Sequence, residues 1–195
     1  MTKTLTKKEQ THQRMLDAAS RCFKSNGFAG IGVDGIAKEA GATSGAFYAH
    51  MGSKDAAFQA VLGCGLENVI EGKMPALQRD HGPDWVKAFV DYYIDQPHRA
   101  DLECGCAMAS LTPEVARSGG ELKEVYESKM SKIVDIAANG LAGDNLQDRR
   151  ARAWAMLSTL IGGLNVLRAM GDADSTEFVA QSIKTAAINI AGQTQ

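Results

Sequence analysis

Cys104-Gly105-Cys106, two thiols separated by one glycine, has the most evident chemical potential in this sequence. The segment lies at the entry to an expected helix, where free backbone N–H groups stabilise a thiolate and make a cysteine reactive near neutral pH. His98 and Arg99 lie close by in the chain. Three uses are open. Cys106 can be a reactive thiol, or a small buried residue lining a pocket with Cys104 a surface bystander. The pair can also be half of a soft-metal site shared with a histidine. No second cysteine pair follows, so no metal is expected, and Cys22 and Cys64 fall in helical apolar patterns that read as structural.

A second group is apolar and aromatic: Trp85, Phe89, Tyr92, Tyr93, Met108 and Tyr126. Together they suit an apolar or aromatic small molecule, with tyrosine hydroxyls and His98 as polar handles. The same residues equally suit a packed core. H-E-x-x-H, G-x-S-x-G, phosphate-loop and paired-carboxylate signatures are absent, so neither a catalytic residue nor a cofactor is expected. A thiol-dependent enzyme built on Cys104 and Cys106 would ordinarily need a strand-containing fold.

The third group occupies residues 33–54, VDGIAKEAGATSGAFYAHMGSK. Two short helices joined by a tight turn at Gly41 form a helix-turn-helix, whose second helix enters the DNA major groove. Gly41 stands where the turn needs a positive φ, which glycine adopts without a Cβ clash. Ile36, Ala37 and Phe47 can bury against the preceding helix. Thr43 or Ser44 caps the second helix, whose free N–H groups suit a phosphate.

These residues depend on helices, and almost every segment reads as one. Met15, Ala18, Ala19, Cys22 and Phe23 share one face of a helix over 8–25. Thr6 and Glu9 have capping-box spacing at its start, and Asn26-Gly27 ends it. Helices are expected over 33–40, 43–50, 54–70, 84–95, 105–118, 121–141, 146–170 and 175–191. Ser53 caps the fourth, while Pro75, His81-Gly82-Pro83 and Gln96-Pro97-His98 read as breaks. No alternating strand pattern or repeat is visible. The expectation is an all-α chain: an N-terminal three-helix helix-turn-helix domain over 1–54, then a helical ligand-binding and dimerisation domain over 55–195.

Charge supports that division. The chain carries a net charge of −2, but residues 1–54 hold eight Lys or Arg against four Asp or Glu. A basic module on an acidic body is the distribution expected when one end meets phosphate. The polar N-terminus has no apolar leader segment and no apolar run reaches the ~18 residues of a membrane span, so a cytoplasmic protein without a membrane partner is expected.

Residues 8–62 resemble the DNA-binding signature of the TetR (tetracycline repressor) family. The resemblance is carried by Ile36, Ala37, Ala40, Gly41, Thr43, Gly45, Phe47, Tyr48, Ser53, Lys54, Asp55 and Phe58. Met51-Gly52 replaces the usual Phe-Pro, Ala57 a Leu, and Ser44 a common Lys, which removes one potential phosphate contact. The resemblance implies that Thr43, Ser44, Gly45 and Ala46 lie at the groove of a double-stranded operator. It also implies that Tyr48 reaches a phosphate or thymine methyl, that Lys54 reaches a phosphate, and that His50 contacts the backbone.

It further implies a homodimeric regulator, a repressor before an activator, released by a small-molecule effector in the C-terminal domain. Trp154, Leu157, Leu160, Ile161, Leu164 and Leu167 offer a face for the partner chain, with Phe178, Ile183, Ala187 and Ile190 as a second stripe and Gly162-Gly163 permitting close approach. The same faces can serve an intramolecular core. A family subgroup carries a Gly-Cys at the place of Cys106, which implies a thiol sensor. A helical interaction module without DNA binding is the alternative reading.

Overall fold

The computed structural model describes residues 6–192, apart from Cys104, together with Thr194. Twelve α-helices run through the described residues: α1 (Lys7–Asn26), α2 (Val33–Glu39), α3 (Ser44–Met51), α4 (Lys54–Glu67), α5 (Met74–His81), α6 (Trp85–Ile94), α7 (Gln96–Ala100), α8 (Ala107–Ser110), α9 (Thr112–Arg117), α10 (Gly120–Asn139), α11 (Leu146–Arg168) and α12 (Ala173–Ala191). The expectation of an all-α chain holds, and none of these helices is long and apolar enough to cross a membrane.

Local signals place the first module. The Thr6 hydroxyl accepts from the Glu9 N–H at 3.3 Å while the Glu9 carboxylate accepts from the Thr6 N–H at 2.7 Å, closing the capping box. Gly27 ends α1 at φ 72° and Gly41 turns the chain between α2 and α3 at φ 64°. Met15, Ala18, Ala19, Cys22 and Phe23 are buried and meet Ile36, Ala37 and Phe47 in one cluster. Phe23, Phe28 and Phe58 pack ring to ring at 5.3–5.8 Å, fastening α1 to α4.

Two elements fall where breaks were expected. Pro75 sits in the first turn of α5 and Pro97 in the first turn of α7. Proline is tolerated there because those N–H groups have no helical partner to lose. Between α4 and α5 the helix widens into a π-turn, Asn68–Lys73, so the expected helix over 54–70 ends early. The helix expected over 105–118 divides into α8 and α9 at Leu111, with Pro113 opening the second piece.

The C-terminal module wraps α6, α10, α11 and α12 around one core. Trp85 Nε1 donates to the Gly140 carbonyl at 3.0 Å, tying α6 to the end of α10. Leu157, Leu160, Leu164, Leu167 and Ala187 are buried within this chain, not offered to a partner. These positions of the expected dimer face thus serve this chain's own core, while Trp154 and Phe178 of the same stripes are exposed. Gly163 serves the same intramolecular packing, since a Cβ there would stand 2.8 Å from Ile183, whereas Gly162 opens outward.

Candidate DNA-reading helix and effector cavity

The recognition helix is built by local capping and one buried aromatic. The Thr43 hydroxyl accepts from the Ala46 N–H at 3.2 Å, so Thr43 is the cap and Ser44 the first helical residue. Ser44 instead donates its hydroxyl to Asp34 on α2. Phe47 is wholly buried and anchors α3 against α1. The neighbouring Tyr48 points outward with 55 % of its surface exposed, its ring 5.7 Å from that of Phe47.

Thr43, Gly45 and Tyr48 are exposed, while Ser44, Ala46 and His50 are half-buried. His50 lies beside His12 of α1, their rings 6.2 Å apart. Lys54 stands at the start of α4, capped by Ser53, with its ammonium 4.3 Å from the centre of the Phe28 ring. That cation–π contact orients the lysine.

A cavity of about 260 Å³ opens in the second module. Phe89, Tyr92, Tyr93, Cys106 and Met108 line it, so five of the nine expected effector residues come together. Trp85, His98 and Tyr126 do not line it. Trp85 is spent on Gly140, and the Tyr126 hydroxyl lies 2.8 Å from that of Thr112. His98 is buried with its Nδ1 N–H donating to the Tyr93 carbonyl at 2.7 Å and its ring stacked on Tyr92. Burial holds the His98 pKa below its ordinary value, outweighing the carbonyl that raises it. Cys104 lies outside the described residues.

Cys106 stands at the N-cap position of α8, a helix of only four residues. Desolvation of the sulfur pushes its pKa above the ordinary thiol value, despite the opposing pull of Tyr93 and of the Met108 and Ala109 N–H groups. The residue keeps partial surface exposure. Cys64, expected to be structural, is exposed on α4, while Cys22 is buried as expected.

Tyr93 carries the most unusual polar atom of the cavity. Its side chain is wholly buried and its hydroxyl makes no hydrogen bond. The Cys106 sulfur is near enough to influence its ionisation without meeting hydrogen-bond geometry, and burial drives the Tyr93 pKa well above the ordinary phenol value. An unpaired buried hydroxyl is costly unless a ligand or water satisfies it.

Sequence reasoning missed Lys24, Asn68 and Lys73, which also line the cavity. The π-turn bears two of them, and such turns concentrate at functional sites. It also missed Arg168 on α11, which donates to the carbonyls of His98, Arg99 and Asp101 at 3.0–3.2 Å and to the Ser110 hydroxyl at 3.1 Å. That guanidinium ties residues 98–101 and Ser110 to α11.

Comparison with known proteins accords with this architecture. The family described as "Bacterial regulatory proteins, tetR family" matches residues 15–61. The HTH-type transcriptional regulator SrpR of Pseudomonas putida is 43% identical over 60 residues, 31% of this chain and 28% of that protein. The chain therefore spans less than a third of SrpR's length in that match. The HTH-type transcriptional repressor SCO4008 of Streptomyces coelicolor is 32% identical over 200 residues, covering 93% of this chain and 95% of that protein. Among solved structures, the reduced form of NemR from E. coli superposes with a TM-score of 0.75 at 16% identity, covering 94% of this chain and 98% of that one. With its helix-turn-helix, its helical second module and a relative matched over nearly its whole length, the chain belongs to the TetR family of bacterial transcriptional regulators.

Proposed function

We propose that the protein is a homodimeric, cytoplasmic repressor without enzymatic activity. Residues 1–54 read a palindromic operator, and residues 55–195 bind an effector and hold the dimer together. The observation that carries this reading is α3 itself. Its buried Phe47 fixes the helix while the adjacent Tyr48 is turned out into solvent. A large exposed aromatic beside an open helix N-terminus is what a groove-reading helix needs and what a structural helix would bury.

Thr43, Ser44, Gly45 and Ala46 form the leading end of α3 toward the bases, with Tyr48, His50 and Lys54 on sugar and phosphate. Ser44, already bonded to Asp34, contributes mainly by fixing α2 to α3. The dimer reading rests on the outward face of α11 and α12. Trp154, Val166 and Phe178 are exposed there at 36%, 53% and 76%. A shallow groove beside Phe178 is floored by Ser182, Thr185 and Ala186, small enough for a partner helix to approach closely.

Fluorescence anisotropy with the duplex upstream of the protein's own gene tests the reading. Saturable binding should weaken steeply with salt, because each neutralised phosphate releases counterions. Binding to a scrambled duplex with equal affinity and the same salt slope would sink the operator claim.

A further inference from the structure

Of the described residues that line the cavity of about 260 Å³, Tyr93 alone carries a buried side-chain polar atom without a hydrogen-bond partner. Its ring is held on α6 by contacts with the Phe89 ring at 5.5 Å and the His98 ring at 5.0 Å, so the hydroxyl cannot swing out to water. Tyr126 shows the usual arrangement in the same module, its hydroxyl lying 2.8 Å from that of Thr112. Burial keeps the Tyr93 phenol protonated, so it has a proton to donate. Cys106 beside it is held as a neutral thiol, which is a weak partner.

The surroundings restrict what can answer that donor. Phe89 and Met108 are buried and apolar. None of the described residues lining the cavity is a carboxylate, so a cation finds no counter-charge there. An anion at the depth of Tyr93 would give up its hydration for one neutral hydroxyl, which does not offset the cost. The volume lies just under the ~300–1,000 Å³ of drug-sized ligand pockets, so the occupant is compact. We propose that this cavity takes a compact, neutral ligand with an apolar body and one oxygen acceptor, a ketone or ester carbonyl, which receives the Tyr93 hydroxyl proton as a hydrogen bond. The body lies on Phe89 and Met108. This rests on the reading of the protein as an effector-released repressor and names the class of that effector.

The buried donor makes the site discriminate. A purely apolar occupant would leave the hydroxyl as costly as it is in the empty cavity. A site built to hydrogen-bond one polar group rejects the analogue that lacks it far more strongly than a hydrophobic pocket rejects a missing methylene. Shape is set by Phe89 and Met108, and the choice between isosteres by Tyr93.

The test is calorimetric titration of the full-length protein with acetophenone and cyclohexyl methyl ketone. Each is compared with the hydrocarbon of the same shape, isopropylbenzene or isopropylcyclohexane, and both with benzoate. At least one ketone should bind, and Tyr93→Phe should weaken it about fivefold or more while its hydrocarbon binds the variant at least as tightly as wild type. The infrared carbonyl stretch of that bound ketone, isotope-labelled at the carbonyl, should lie at lower wavenumber in wild type than in Tyr93→Phe. Without ligand, Tyr93→Phe should melt no lower than wild type, since an unpaired hydroxyl holds nothing in place. The proposal is overturned if neither ketone binds, if Tyr93→Phe leaves ketone affinity unchanged or weakens the hydrocarbon as much, or if benzoate binds more tightly than both ketones. A lower melting temperature of the unliganded variant would reveal a structural partner for the hydroxyl and overturn it as well. Operator anisotropy on the unliganded wild-type preparation separates the two claims. Operator binding without the ketone response overturns the effector class alone, and the ketone response without operator binding overturns the repressor reading.

Discussion

Arg168 and the Asp101 carbonyl it binds leave Gly105 no room for a side chain. A Cβ at position 105 would collide with the Asp101 carbonyl oxygen and stand 2.6 Å from the Arg168 Nη2, the nitrogen that donates to that same carbonyl at 3.0 Å. The glycine of the Cys-Gly-Cys motif therefore serves close approach to the Asp101 backbone and the guanidinium that binds it. Gly105→Ala should destabilise the protein by about 1–3 kcal/mol through overpacking. Arg168→Met, which strands several backbone carbonyls, should cost about 2–4 kcal/mol. Urea unfolding midpoints measure both, and wild-type midpoints would contradict this account of the loop.

Acid should weaken the fold before the carboxylates titrate. His98 has a pKa lowered by burial, so the unfolded chain takes up a proton near the ordinary value of 6.5 while the folded chain resists it. Stability from this group is complete above pH 6.5 and declines as pH falls through that value toward the lower folded pKa. Melting temperature should drop between about pH 7 and pH 5.5. His98→Asn should flatten that segment of the profile, and an unaltered profile in the variant would remove His98 as its source.

Two glycines of the DNA-reading module should respond in opposite directions. Gly41 has a φ of 64°, so Gly41→Ala is strained even though open space surrounds it and should cost about 1–2 kcal/mol. Gly45 lies within α3, and a Cβ there would meet only Thr43 Oγ1, at 3.8 Å. Gly45→Ala should raise stability by about 0.5–1 kcal/mol while weakening operator binding, because its methyl enters the groove face. Thermal melts and anisotropy on each variant separate the two effects. A Gly45→Ala protein that binds as wild type would place this turn of α3 away from the bases.

Salt dependence distinguishes the roles of Lys54 and Tyr48. Lys54→Met should reduce the magnitude of the slope of log K against log salt by about 0.9, the loss of one phosphate contact. Tyr48→Ala should weaken binding with little change in slope, since it removes no charge. A Lys54→Met slope equal to wild type would confine that lysine to its contact with Phe28.

Among the described cysteines, thiol chemistry should begin at Cys64, not at Cys106. Cys64 is exposed on α4, whereas burial raises the Cys106 pKa and lowers its thiolate fraction. Time-resolved maleimide labelling with peptide mapping should show Cys64 modified before Cys22 and Cys106. Cys106 reacting faster than Cys64 would support the sensing role expected from its position before α8.

Short-range residue chemistry determined the DNA-reading module. The capping box at Thr6 and Glu9, the apolar face from Met15 to Phe23, Gly41 in its turn and the Thr43 cap all act within a few residues, so their spacing was legible directly. The prolines of α5 and α7 misled because a proline interrupts a helix or opens one, and spacing alone does not say which. Tertiary structure decided the cavity proposed for the effector. Lys24, Asn68 and Lys73 reach one cavity from two modules, and Arg168 captures a loop 67–70 residues earlier. It also decided which chain each apolar face meets: periodicity marks Leu157 and Leu160 as buried somewhere, but only packing assigns them to their own core and leaves Trp154 and Phe178 outside. Contacts of that range depend on how helices cross, and no local pattern encodes a crossing.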